Sequence, residues 1–91
     1  MTDDVRKRAI VSGVVQGVGF RWSARGVAQS LGVSGFARNR ADATVEVEAE
    51  GAPDAVDTFV EWLRHGPPGA KVTAVEVSGL SPNGSTGFDV A

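Results

Sequence analysis

Val5-Arg6-Lys7-Arg8-Ala9-Ile10-Val11-Ser12-Gly13-Val14-Val15-Gln16-Gly17-Val18-Gly19-Phe20-Arg21 runs from strand to loop to the mouth of a helix. Across 5–15, Val5, Ala9, Val11 and Val15 alternate with Arg6, Arg8, Ile10, Ser12 and Val14. Apolar residues stand on both faces near the middle, as in an interior strand. Gln16-Gly17-Val18-Gly19 breaks that period as a loop. A helix is expected next over roughly 22–31, because Ala24, Val27, Ala28 and Leu31 fall at i, i+3, i+4 and i+7. Gly32 stands where a helix ends in left-handed backbone.

Residues 33–39 and 44–50 read as two further strands. In the second, Val45, Val47 and Ala49 alternate with Glu46, Glu48 and Glu50, one face dry and the other expected to be a solvated surface. The gap Arg40-Ala41-Asp42-Ala43 suits an antiparallel hairpin. A second helix is expected over about 53–65, from Val56, Phe59, Val60 and Leu63, with Pro53 at N1 and Asp54 and Asp57 in the first turn. Gly66-Pro67-Pro68-Gly69 stops it, a strand follows at 71–78, and Gly87-Phe88-Asp89-Val90-Ala91 has room for a short fifth strand. The order is β-α-β-β-α-β with that added C-terminal strand. An antiparallel sheet with two helices on one face is the α+β, ferredoxin-like sandwich, and residues 1–91 are expected to form a single domain.

Composition narrows the chemistry. With 42% hydrophobic and 22% charged residues in 91, the chain is expected to be an ordinary soluble domain. Cysteine is absent, which removes disulfides, thiol catalysis and iron–sulfur clusters, and His65 alone cannot supply a histidine metal cluster or a triad. No apolar run is long enough for a membrane span, and the acidic Met1-Thr2-Asp3-Asp4 start is unlike a signal peptide, so a cytoplasmic location is expected. Residues 1–40 carry seven basic side chains against Asp3 and Asp4, whereas 41–91 carry Arg64 and Lys71 against nine acids. Such asymmetry suits an anion site in the first half, or two solvated charged surfaces.

The loop is where an anion would bind. Glycines let backbone N–H groups converge, the helix start adds free N–H groups and a positive dipole end, and Arg21 adds a planar fork of donors. No Gly-Lys-Ser/Thr follows, so this is no Walker loop, and Trp22 stands where a dinucleotide fingerprint needs its last glycine. Spacing alone suits a structural turn between strand and helix as well as it suits a phosphate cradle.

The stretch Val15-Gln16-Gly17-Val18-Gly19-Phe20-Arg21 resembles the signature of the acylphosphatase family. Gly35-Phe36-Ala37-Arg38-Asn39 resembles that family's second motif, Gly-Trp-Val-x-Asn, with Phe36 and Ala37 in place of Trp and Val. Similarity extends through Leu31-Gly32-Val33, Val45 to Gly51, the Phe59-Trp62-Leu63 helix, Gly66-Pro67 and Gly87-Phe88. The resemblance implies a metal-free and cofactor-free hydrolase that converts acyl phosphates to carboxylate and orthophosphate. By position, Gln16, Gly17, Val18, Gly19, Phe20 and Arg21 would form the phosphate-binding loop, Arg21 would bind the phosphate and Asn39 would position the attacking water. The expected partner is a small-molecule acyl phosphate, with neither nucleic acid nor membrane, and the chain a monomer. One departure touches the hairpin: Ala43 stands where a glycine is common, and a positive φ there would be strained, which leaves the turn's geometry open.

A non-catalytic ferredoxin-like module that binds anions or nucleic acid is the alternative. It lacks the aromatic pair of an RNA-recognition sheet, since Val11, Gly13, Val45 and Val47 occupy those positions. Trp22 and Trp62 are expected to be packing residues, with Trp22 alternatively walling the acyl side of the substrate, and His65 a surface residue near a helix end.

Overall fold

A computed structural model describes residues 3–91. In chain order the elements are β1 (Val5–Val14), α1 (Phe20–Leu31), β2 (Ser34–Asn39), β3 (Val45–Gly51), α2 (Pro53–Leu63), β4 (Lys71–Leu80) and β5 (Phe88–Val90). They build one sheet in the order β4-β1-β3-β2-β5. All neighbours are antiparallel except β5, which runs parallel to β2 at the edge. The expected ferredoxin-like topology and its short C-terminal strand are both present.

Both helices cover one face. Ala9 and Val11 of β1, Ala37 of β2 and Val45, Val47 and Ala49 of β3 meet Phe20, Ala24 and Ala28 of α1 and Val56, Phe59, Val60 and Leu63 of α2. Phe59 sits between two aromatic neighbours, stacked on Trp62 at 6.4 Å and edge-on to Phe88 at 5.6 Å. Phe88 thereby fastens the short β5 to the core. Strand β1 is interior, as its two-sided apolarity requires. It bulges between Ser12 and Gly13, where a Cβ on residue 13 would lie 2.0 Å from the Lys71 carbonyl oxygen.

The other face corrects one expectation. Glu46 and Glu50 are not solvated: each is only 3% exposed. Strand β3 is the central strand, and the register sets Arg6 opposite Glu50, Arg8 opposite Glu48, and Arg38 opposite Glu46. The long arginine side chains close over the carboxylates. Arg6 holds Glu48 at 2.8 Å and Glu50 at 3.0 Å, while Glu46 takes Arg8 at 2.7 Å and Arg38 at 2.6 Å. Burial pushes the Glu46 carboxyl up, but the hydrogen bonds from Arg8 and Arg38 outweigh it and hold the group below its ordinary range. Glu50 is held low chiefly by the Asn83 N–H, against burial, with help from Arg6 and the Gly84 N–H.

Much of the basic excess in the first half is therefore paired with carboxylates of the same chain. Arg6, Arg8 and Arg38 pair across the sheet, Lys7 reaches Asp57 at 2.9 Å, and Arg40 lies 3.6 Å from Asp42. Among the described residues, Arg21 and Arg25 are the first-half basic groups with no Asp or Glu side chain in salt-bridge range.

Element ends differ slightly from expectation. Helix α1 begins at Phe20, two residues early, because Gly19 already takes left-handed backbone (φ 74) and hands the chain directly into the helix. Gly32 (φ 71) ends it, with the Val33 N–H donating to the Ala28 carbonyl at 2.9 Å. Helix α2 starts on Pro53 as expected but stops at Leu63, and β4 continues to Leu80 because β1 offers a partner as far as Arg6. Trp62 packs on Phe20 at 5.6 Å, whereas Trp22 is 61% exposed and so is no packing residue; the Arg25 guanidinium lies 5.8 Å from its ring centroid. His65 is exposed near the C-terminal end of α2, 3.5 Å from Glu61.

Candidate active site

The loop between β1 and α1 is held at both ends by buried side chains. Val15 is 1% exposed and Phe20 is 2% exposed. Burying the Phe20 ring is worth about 1.5–3 kcal/mol, so the first residue of α1 is fixed by the core. Between these anchors Gly17 (φ 76) and Gly19 (φ 74) take left-handed backbone. A Cβ at either position would meet nothing within 4 Å, so conformation and not crowding is what calls for glycine.

The loop's N–H groups are unspent. Among the described residues, no backbone carbonyl accepts from Gly17, Val18 or Gly19, and the first helical bond runs from the Ser23 N–H to the Gly19 carbonyl at 3.0 Å. The N–H groups of Phe20, Arg21 and Trp22 thus belong to the open first turn of α1, where the dipole favours an anion. Arg21 is partly buried at that turn, and its Nη1 donates to the backbone oxygen of Ala91.

Asn39 ends β2 and is exposed. The turn beyond it is tightly bonded. The Arg40 N–H donates to the Thr44 carbonyl at 2.9 Å and the Ala43 N–H to the Arg40 carbonyl at 3.2 Å. Asp42 accepts from the Thr44 hydroxyl at 2.5 Å and from the Thr44 N–H at 3.1 Å, and these bonds, the hydroxyl first, hold its carboxyl below the usual range. Ala43 does adopt the left-handed backbone that a glycine would take more easily, at φ 71, so the turn keeps its shape at a conformational cost of about 1–2 kcal/mol.

Two links bring the loop and the β2 end together. Gln16, at the start of the loop, donates through Nε2 to the Arg40 carbonyl at 2.8 Å and to the Thr44 carbonyl at 2.9 Å. Arg21, at its end, contacts Ala91, whose N–H donates to the Ala37 carbonyl at 3.0 Å, two residues before Asn39. The sequence offers Arg21, Asn39 and the glycines as candidates, but not Ala91 or Thr44 as their neighbours. Ala91 is reached through β5, whose pairing with β2 no local pattern announces. Thr44 had a fainter signal, as the residue closing a short hairpin turn.

The acylphosphatase family model matches residues 7–90. An acylphosphatase of Alkalilimnicola ehrlichii is 52% identical over 84 residues, covering 92% of this chain and 94% of that protein. Among solved structures, an acylphosphatase from Coxiella burnetii superposes with a TM-score of 0.94 at 35% identity, covering 98% of this chain and 94% of the other. One from Bacillus subtilis gives 0.93 at 39% identity, covering 96% and 98%. Matched from end to end in sequence and in fold, the chain belongs to the acylphosphatase family.

Proposed function

We propose that hydrolysis of acyl phosphates, the activity of its family, runs in this chain through Arg21 and the loop N–H groups as the phosphate cradle and Asn39 as the group that orients water. The observation that carries this is Arg21 itself: a guanidinium with no Asp or Glu side-chain partner among the described residues, bonded to the Ala91 oxygen and standing on a helix turn whose N–H groups are open.

The phosphoryl group sits against the N–H groups of Gly17 to Trp22, with the Arg21 fork on two of its oxygens. Water attacks phosphorus, the bond from phosphorus to the acyl oxygen breaks, and the electron pair leaves on a carboxylate. That leaving group has a conjugate-acid pKa near ~4 and needs no general acid. The transition state is loose, so positioning and electrostatic stabilisation carry the rate. Asn39 accepts a hydrogen bond from the water through its side-chain oxygen and so aims the lone pair. It is too weak a base to take the proton, which passes from the water to a phosphate oxygen and leaves as part of orthophosphate. No metal enters this scheme, and among the described residues no three Asp, Glu, His or Cys side chains converge to hold one.

The test is release of orthophosphate from an aryl acyl phosphate with EDTA present. Turnover at an unchanged rate is expected. Loss of activity that magnesium restores overturns the metal-free scheme, and phosphate binding without turnover favours the anion-binding module instead. The setting implied is a monomer acting on a small molecule in the cytoplasm. No described helix is long and apolar enough to cross a membrane.

A further inference from the structure

We propose that Gln16 is a positioning residue: its side-chain amide sets the spacing between the phosphate cradle and Asn39. This rests on the reading of Asn39 given above.

Gln16 is the one polar side chain between Ser12 and Arg21. An amide NH2 has two protons to donate. Both go to the hairpin, one to the Arg40 carbonyl at 2.8 Å and one to the Thr44 carbonyl at 2.9 Å. None is left for a phosphate oxygen, so the side chain is not a ligand even though it opens the cradle. The two carbonyls it grips are the ones that close the turn on itself: Arg40 oxygen takes the Ala43 N–H, and Thr44 oxygen takes the Arg40 N–H. A carbonyl has two lone pairs, so each serves both bonds.

The consequence is mechanical. Arg40 follows Asn39 directly, and Thr44 precedes Val45, the cross-strand partner of Asn39. Gripping the peptides on both sides of this pair fixes where the Asn39 side chain leaves the sheet relative to Gly17. The residues joined are 24 and 28 positions apart, so no local structure would hold them. Without the grip the cradle still has its buried ends, Val15 and Phe20, and its N–H groups. Phosphate binding should survive, and the aim of the water should not.

The experiment compares Gln16→Met, of similar length without donors, and Gln16→Glu, which sets a carboxylate against two carbonyl oxygens. Turnover and inhibition by inorganic phosphate are measured for each, in the wild-type and Asn39→Ala backgrounds, with circular dichroism and thermal unfolding alongside. Gln16→Met should lower kcat about 10-fold or more, with phosphate inhibition changed by less than about twofold, and Gln16→Glu should be worse at neutral pH. In the Asn39→Ala background the Gln16→Met loss should nearly vanish, because both act through one step. Equal losses in both backgrounds, or phosphate inhibition weakening in step with kcat, would overturn the proposal. Full activity of folded Asn39→Ala alone would instead overturn the reading of Asn39.

Discussion

The cradle's loop at residues 15–20 and the turn at residues 40–44 both send the chain through left-handed backbone, one with glycines and the other with an alanine. Their hydrogen bonding differs in the same sense. Among the described residues the N–H groups of Gly17, Val18 and Gly19 have no backbone acceptor, and Val15 and Phe20 anchor the loop in the core. The turn has no such anchors, with Ala41, Asp42 and Ala43 all exposed, and is held by its own bonds together with those from Gln16. A surface that must receive an anion needs donors without partners. A turn that must only hold a neighbouring side chain still is free to use all of its own.

Loss of Arg21 should do most harm to the cradle. Arg21→Ala should reduce kcat by about 10³-fold or more, the scale of an arginine aimed at a transferring phosphoryl group. Inhibition by inorganic phosphate should weaken with it. Arg21→Lys keeps a charge but loses the planar fork, and should remain severely impaired. A lysine variant with near-normal turnover and normal phosphate inhibition would remove Arg21 from the cradle. Circular dichroism is expected to be unchanged, because the Arg21 side chain bonds only the Ala91 oxygen among the described residues.

Breaking the other side should look different. Asn39→Ala is expected to lower kcat by about 10²-fold while leaving phosphate inhibition largely intact, since water is aimed only on the way to the transition state. Asn39→Asp keeps an acceptor oxygen but sets a negative charge beside an anionic substrate, and should be poor at neutral pH. An aspartate variant as active as wild type would make residue 39 a base and not an orienting group.

How much of this was legible in the sequence depends on how local each cause is. The glycine loop, the stripe of α1 and the strand alternation are short-range patterns, and the fold followed from them. Alternation also assigned Glu46, Glu48 and Glu50 to one face correctly. It gave the wrong solvation because burial there is set by β3 lying in the middle of the sheet and by the arginines that the β1 and β2 registers place opposite. Trp22 was misread although a signal was present: it precedes Ala24 by two residues, roughly 200° round the helix, and so points away from the buried stripe. The pair of hydrogen bonds from Gln16 has no signal, because nothing in a single sequence pairs an amide with carbonyls so far along the chain.

A smaller effect separates the two loops by pH. The turn depends on an ionised group and the glycine stretch of the cradle contains none. Asp42 is more acidic in the folded chain than its ordinary value, because of the Thr44 hydroxyl first, then the Thr44 N–H and Arg40. Between the folded and unfolded values the unfolded chain binds more protons, so stability rises with pH across that window. The contribution is complete above the unfolded value, near ~4, and is lost as pH falls through the folded one. Thermal unfolding of wild type and Asp42→Asn should therefore differ by a constant amount above about pH 5 and converge as the pH falls through the folded value. A difference that persists undiminished in acid would mean that the charge on Asp42 does not hold the turn.

The smallest effect tests whether alanine in the turn is a cost the fold carries. Ala43 at φ 71 is disfavoured by about 1–2 kcal/mol, because its Cβ crowds the carbonyl oxygen. Ala43→Gly removes that crowding and also loosens the unfolded chain, which takes back about 0.4–1 kcal/mol. The net gain should lie between about 0 and 1.6 kcal/mol, centred on ~0.8, which is a rise in Tm of roughly 3–6 °C at the centre for a domain of this size. The turn already has the shape that glycine would choose, and its bonds to Asp42 and Gln16 run through other residues. Turnover should therefore stay at the wild-type level while stability rises. If Ala43→Gly instead lowers both Tm and kcat, the stiffness that alanine confers on this turn matters more than the strain it stores. The two loops would then differ in a deeper way than their residues suggest, the cradle needing a permissive backbone and the turn a restricted one.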